Sequence, residues 1–592
     1  MITVCFWLCV TILVISALYA LSLSIRKQYG GALNPTNVLL VGVLVASFVL
    51  YFPAYFLQEA GDPFQLLKSI LFTANTTMDM FGGGGDYGLI QDEIASGDVR
   101  PGYLLVAALL MVLAPVLTLG VVMSFFGNIV SALRYAVAYF RDVCIFTELN
   151  ERSLALAKDL ARGNPNLALV FTSVSVSNDS TKELWNQAKK QGAILFPQDA
   201  LSVKFNIHDS SKNMTFFAMA QDESANLDQA LRLVEAYGDF PNSRLYVFTV
   251  NPEGEALLTS SQHRAMKVRR VDAVRSLIYR NLYDEGQMLF ENARPEEDGT
   301  KIISAVVVGM GKHGTSMVKA LSWFCQMDGY RIRIDGFDRD GLAEERFCAQ
   351  CPELMDPKYN GVYVDGEAQY YIRIHSGVGV DTKTFTDRIH SLKDATYVLV
   401  ALGDDGLNIQ TALRLRMLFE QCGAKPVIQA IVMSNDKRRA LEGLKNYRGQ
   451  PYDIDFIGDL ESSYTEKVII DSELEAEALR RHLRWGEEAE FWSYEYNYRS
   501  SMALAIHARA KARCGIVGAQ KNEDALTEQE RRELEVLEHR RWNAYMRSEG
   551  YIYSGSPEKS SRNDLGKMHH DLVNFEDLTE EDKRKDSRVG SA

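Results

Sequence analysis

Ile302-Ile303-Ser304-Ala305-Val306-Val307-Val308 runs directly into Gly309-Met310-Gly311-Lys312-His313-Gly314. The apolar run reads as a strand buried on both faces. A helix to about Phe324, a second strand from Arg331 to Ile334, and the acids Asp335 and Asp338 follow. Strand, glycine turn, helix and a later acid form the order in which a parallel α/β unit offers a helix N-terminus to a pyrophosphate and a carboxylate to a ribose. Gly309, Gly311, Gly314 and Asp338 are therefore the candidate nucleotide-binding residues, and a nucleotide is the one candidate cofactor. The same glycines also serve close helix–sheet packing. No nucleophile or base constellation accompanies them, so an enzyme is not expected.

The unit has an earlier copy. Val143-Cys144-Ile145-Phe146 enters a helix around Ser153 to Leu160, and Leu167 to Phe171 is the next strand. Further on, Asp222-Glu223-Ser224-Ala225-Asn226 before Ala230-Leu231 is repeated as Asp404-Asp405-Gly406-Leu407-Asn408 before Ala412-Leu413. Both follow an apolar strand and open a helix, so one duplicated doubly wound, Rossmann-like domain accounts for the middle of the chain. In the first copy Thr147-Glu148-Leu149-Asn150-Glu151-Arg152 replaces the glycines, and bulky side chains there would block a pyrophosphate.

These segments resemble tandem RCK domains, the Trk-type nucleotide-binding modules that regulate potassium channels and transporters. The resemblance covers about Asp142 to Trp485 and divides into 142–295 and 300–485. It implies a cytoplasmic gating ring that pulls on pore helices.

The N-terminal 141 residues differ in kind. Only Arg26, Lys27, Lys68, Arg100, Arg134 and Arg141 are basic before Asp142. Spans of about 2–23, 37–57 and 103–130 are each near the ~20 residues a membrane helix needs, which excludes a purely soluble protein. The first lacks a basic n-region and reads as a retained helix, not a signal peptide. Arg26 and Lys27 after the first span, and Arg134 and Arg141 after the third, place those segments in the cytoplasm and the N-terminus outside. A multi-pass protein of the cell inner (plasma) membrane is expected, with the later domains cytoplasmic. Between spans two and three, Pro63 to Thr77 reads as a short amphipathic helix. It runs into Thr76-Thr77-Met78-Asp79-Met80-Phe81 and then Gly82-Gly83-Gly84-Gly85-Asp86. Non-helical backbone at membrane depth survives only where it lines water or is buried in protein, so 63–88 reads as a re-entrant loop with Thr76 to Phe81 as filter. Gly120 and Gly127 of the third span are candidate hinges. The order helix, pore helix, filter, helix resembles the pore module of the potassium-channel superfamily. That family's Thr-Val-Gly-Tyr-Gly is absent, and Thr77-Met78-Asp79 stands in its place. A ring of Asp79 carboxylates would favour cations without choosing potassium over sodium.

Beyond about Trp485 the composition changes again. Phe491, Trp492, Tyr494, Tyr496 and Tyr498 precede Leu537-Glu538-His539-Arg540-Arg541-Trp542-Asn543, and Lys567-Met568-His569-His570-Asp571-Leu572-Val573 follows. The pattern, over 490–592, closely resembles the RyR repeat domain of ryanodine receptors and its bacterial relatives. That resemblance implies a mainly α-helical sensor of nucleotide-derived signals. Physically, Trp542 and the tyrosines offer stacking faces, while His539, Arg540, Arg541, Lys567 and His569 offer donors to an anion and Glu538 orients one of them. His569-His570 is poor spacing for a metal, and no metal site is expected. Cys348-Ala349-Gln350-Cys351 has no partner pair and reads as reduced thiols; His375 reads as structural.

Composition bounds the rest. A chain of 592 residues is multidomain, a net charge of -13 argues against a nucleic-acid partner, and 8 Cys exclude a disulfide scaffold. The expected architecture is an α-helical transmembrane pore module, two α/β Rossmann-like RCK domains and a RyR domain. The expected function is a ligand-gated cation channel. Its expected partners are membrane, permeant cations and a nucleotide-like small molecule. One pore helix per chain cannot enclose a filter, so a symmetric oligomer is required, and the resemblance to potassium channels implies a homotetramer. The alternative is a non-conducting, membrane-anchored nucleotide sensor or scaffold.

Overall fold

The computed structural model describes residues 1–26, 35–94, 98–176, 178–205, 212–240, 242–250, 254, 265–356, 369–470, 472–516, 518–521 and 525–587. Lys27 of the topology argument lies outside them. The chain divides into two compact units, residues 1–139 with 175–182, and 140–174 with 183–592.

The first unit holds α1 (Ile2–Arg26), α2 (Pro35–Gln58), α3 (Gln65–Phe81), α4 (Tyr87–Glu93) and α5 (Arg100–Val137). Within α1, α2 and α5, Ile2–Ser22, Val38–Gln58 and Arg100–Leu119 are long and apolar enough to cross a bilayer, which supports membrane association. Their packing depends on small residues. A Cβ on Gly42 would lie 2.2 Å from Ser16 Oγ, so α1 and α2 approach as closely as only glycine allows. Tyr103 of α5 donates to the Leu50 carbonyl of α2 and stacks on Phe6 of α1. Helix α5 continues through Pro115, Gly120 and Gly127 and outlasts the expected end at Val130. Nothing in Ser131 to Val137 is a helix breaker.

Helix α3 corrects the expected filter. The expected helix ends at Thr77, yet α3 continues through Met78 to Phe81 and stops at Gly82. The glycines form the break: the Gly82 and Gly84 amides both bond the Asp79 carbonyl, at 3.0 and 2.9 Å, and Gly83 and Gly85 take φ of 88° and 130°. Four consecutive glycines hold the only backbone in this stretch that gains nothing from staying helical.

In the second unit, β1 (Val143–Phe146), β2 (Ala168–Phe171), β3 (Ile194–Leu195), β4 (Met214–Ala218), β5 (Ser243–Phe248) and β6 (Lys267–Val271) form a parallel sheet in the order 3-2-1-4-5-6. The second sheet repeats that order with β8 (Lys301–Val308), β9 (Tyr330–Phe337), β10 (Tyr370–His375), β11 (Tyr397–Val400), β12 (Val427–Ile431) and β13 (Ile454–Ile457), and β7 (Arg294–Pro295) pairs antiparallel with β8. This is the doubly wound, Rossmann-like order, present twice. Phe171, Phe146, Phe217 and Tyr246 stand in register across β2, β1, β4 and β5 with rings 4.8 to 5.2 Å apart, an apolar ladder that locks the first sheet.

The helices after β13 do not hang on a tether. Glu495–Arg513 and Glu528–Ser548 share one apolar core with the second sheet, in which Trp323 meets Tyr545 edge-on. Polar ties reinforce it: His507 Nε2 lies 2.6 Å from the Gln326 carbonyl, Arg540 bonds Asp328 at 2.6 Å, and Arg547 bonds the buried Glu353 at 3.2 Å.

Candidate functional site

The duplicated motif has a structural task in both copies. Asn408 Oδ1 accepts the Leu402 amide at 2.6 Å and its Nδ2 donates to the Ile431 carbonyl at 2.7 Å, tying the end of β11 to that of β12. Asn226 does the same for β4 and β5, accepting from Ala220 and donating to the Phe248 carbonyl. Asp222 and Asp404 cap the helices, while Glu223 and Asp405 accept amides just beyond the neighbouring strand, from Val250 and from Met433 and Ser434. The repeat therefore records how the sheet edge is sealed.

At the glycine turn, Gly309 has a φ of 97° and a Cβ there would sit 2.4 Å from the Ala401 carbonyl; one on Gly314 would sit 1.8 Å from the Gly309 carbonyl. Both are required by the backbone. Gly311, the N-cap of helix Lys312–Phe324, faces open space instead. Asp338, just past β9, accepts the Met310 and Asp340 amides at 2.7 and 2.8 Å, so its carboxylate already braces the turn a ligand would approach. In the first copy Asn150 caps its helix in a reciprocal box with Ser153 and donates to the Met219 carbonyl, which fills the equivalent position.

The C-terminal helices enclose a cavity of about 660 Å³, within the usual range for a small-molecule site. Trp485, Tyr496 and Trp542 supply its ring surfaces. Of the expected pocket residues, Glu538, His539, Trp542 and His569 line it. Arg540 and Lys567 do not. Arg540 turns to Asp328, and Lys567 donates to the Glu549 carbonyl at 2.9 Å, so these two assignments are corrected. On a helix successive residues point about 100° apart, and Arg540 and Arg541 cannot share a face. Arg541 is the one that turns inward.

Arg541 and Glu538 are 1% and 2% exposed, and Arg541 Nε and Nη2 both bond Glu538 Oε1, at 3.0 and 2.7 Å. Arg541 Nη1 and Glu538 Oε2 find no hydrogen-bond partner among the described residues. Behind them Lys511, 3.9 Å from Glu538, is lowered to about 8 by burial, which the Glu538 charge only partly offsets. His570, 3% exposed, also meets the cavity, with its Nε2 3.2 Å from the Asp571 carboxylate. Lys559, Arg562, Asp571, Glu581 and Asp582 complete the polar rim. These rim residues carry no periodic signal, since they come from loops and a short helix joined only by the fold.

Among the remaining expectations, His375 bonds Asp335 at 2.7 Å and stacks on Phe337, a structural role. Cys348 and Cys351 are free thiols whose burial raises both above the usual range, which keeps them protonated and unreactive. No protein-family model matches the chain, and no curated protein matches it either.

Proposed function

We propose that this chain is one subunit of a ligand-gated cation channel, with a pore module of potassium-channel type. Two RCK-like domains and a RyR-like sensor of a nucleotide-like ligand act on that pore from the cytoplasm. The observation that carries the reading is α3. At 17 residues it is about 25 Å long, short of the ~30 Å hydrocarbon core, and it lies between two helices that can span. Its orientation is inverted relative to a water-soluble helix: Ser69, Thr73, Thr76 and Thr77 are buried, while Leu66, Leu67, Leu71 and Met78 are exposed. Apolar flanks of that kind suit lipid or neighbouring subunits. Met78 and Asp79 are both exposed at the end of α3 before the glycines, which supports a meeting with their copies around an ion path. In planar bilayers with potassium and sodium on opposite sides, the protein is expected to pass cations, and Asp79→Asn to change the permeability ratio or unitary conductance at least threefold. Silence from the unaltered protein in every condition would reject the channel.

A second reading rests on the helical backbone of Thr76 to Phe81, which forms no extended ladder of carbonyls. It makes the chain a non-conducting, membrane-anchored sensor, for which Asp79→Asn changes nothing while ligand binding persists.

A further inference from the structure

Resting on the reading of the C-terminal cavity as the ligand site, we infer that it recognises a nucleotide-like ligand through a flat, nitrogen-bearing ring such as a purine base, and not through its phosphate.

The charge balance disfavours a phosphate-centred site. The lining offers three cations, Arg541, Lys559 and Arg562, against four carboxylates, Glu538, Asp571, Glu581 and Asp582. Two of those cations are engaged, Arg541 by Glu538 and Arg562 by Asp564 at 2.9 Å. The two donors expected to add positive charge, Arg540 and Lys567, are directed elsewhere. A polyanion would meet a wall that repels it as much as it attracts it.

A ring finds complementary groups. Among the described residues Arg541 Nη1 and Glu538 Oε2 make no hydrogen bond, although Lys511 Nζ lies 3.9 Å from Glu538 Oε2, and one buried ion pair at the cavity wall carries both. A ligand edge that places an acceptor beside an N–H satisfies both at once, and purines carry such edges. Trp485, Tyr496 and Trp542 offer the faces on which such a ring stacks. The Glu538–Arg541 pair already makes two hydrogen bonds of its own, so the site is set in position before the ligand arrives.

The test is calorimetric titration of the full chain in detergent with adenosine, guanosine, their 5′-monophosphates, ribose 5-phosphate and inorganic phosphate. It is repeated in a Gly311→Val background, which fills the glycine turn of the second sheet and leaves the C-terminal cavity as the site read. At least one nucleoside is expected to bind within tenfold of its monophosphate, with ribose 5-phosphate and phosphate at least 100-fold weaker. Glu538→Gln should weaken the nucleoside at least 20-fold, and Arg562→Gln less than threefold. A monophosphate 100-fold tighter than its nucleoside, or ribose 5-phosphate as tight as the nucleotide, overturns the inference, as does the absence of binding by every compound at 1 mM. If Glu538→Gln does not fold, the ligand series on the unaltered pocket decides alone. The channel reading fails separately: nucleoside binding with no current rejects the channel and leaves the base-directed pocket standing.

Discussion

Asn408 shows how much one side chain can hold. Replacing it with Ala strands the Leu402 amide and the Ile431 carbonyl in a site where Asn408 itself is 2% exposed. At about 1–3 kcal/mol for each orphaned group, Asn408→Ala should cost roughly 2–6 kcal/mol, read as a lower denaturation midpoint of the full chain in detergent. The glycines divide by the same logic. Gly309→Ala forces a Cβ into a backbone carbonyl at a positive φ and should cost at least about 2 kcal/mol, whereas Gly311→Ala should leave the thermal midpoint unchanged. A Gly311→Ala variant that melts as early as Gly309→Ala would refute the assignment of open space at Gly311. The glycine spacing was legible in the chain; which glycine is obligatory was not, because the clashing carbonyl belongs to Ala401 on another strand.

At the scale of elements, helices Glu495–Arg513 and Glu528–Ser548 carry buried ionisable groups that make this part of the fold acid-sensitive. Burial, with the nearby charges of Lys511 and Arg541, holds His507 well below its ordinary range. The unfolded chain therefore takes up a proton there first. The stability His507 contributes is present above about pH 6.5 and falls by about 1.4 kcal/mol per unit as pH drops below that. His507→Gln, which keeps a donor for the Gln326 carbonyl, should flatten the denaturation midpoint between pH 6.5 and 5; an unchanged slope would reject the assignment. Glu549 acts lower. Burial pushes its carboxyl up, but Arg275 at 3.2 Å and Arg499 at 3.5 Å outweigh that and hold it at about 2. Its contribution, about 3 kcal/mol, is present above pH 4.5 and is lost as pH falls toward 2. Glu549→Gln should remove that lower slope. Neither effect follows from the local sequence, in which His507 and Glu549 look like ordinary residues of charged helices.

At the scale of the whole molecule, the proposed channel requires several copies, since one α3 cannot surround an ion path, and its resemblance to potassium channels makes them four. Chemical cross-linking in native membranes should therefore stop at tetramer, and a ladder ending at monomer or dimer would remove the pore. The tetramer and the Asp79 prediction test the same claim from different sides. A tetramer indifferent to Asp79→Asn would move the ion path away from α3. Allosteric control adds a further condition: a ligand opens such a pore only if it binds the open state more tightly than the closed one.

By itself the sequence determined the apolar spans, the two doubly wound units and their repeated sealing motif, because long hydrophobic runs and strand–turn–helix order are set by local periodicity and solvent partition. Only the tertiary structure decided that Met78 to Phe81 are helical, that Arg541 faces the cavity while Arg540 faces Asp328, and that Lys559 and Arg562 join it from the segment after the helix. Those outcomes depend on which neighbours can satisfy a buried charge or carbonyl, and the neighbours come from segments far apart in the chain.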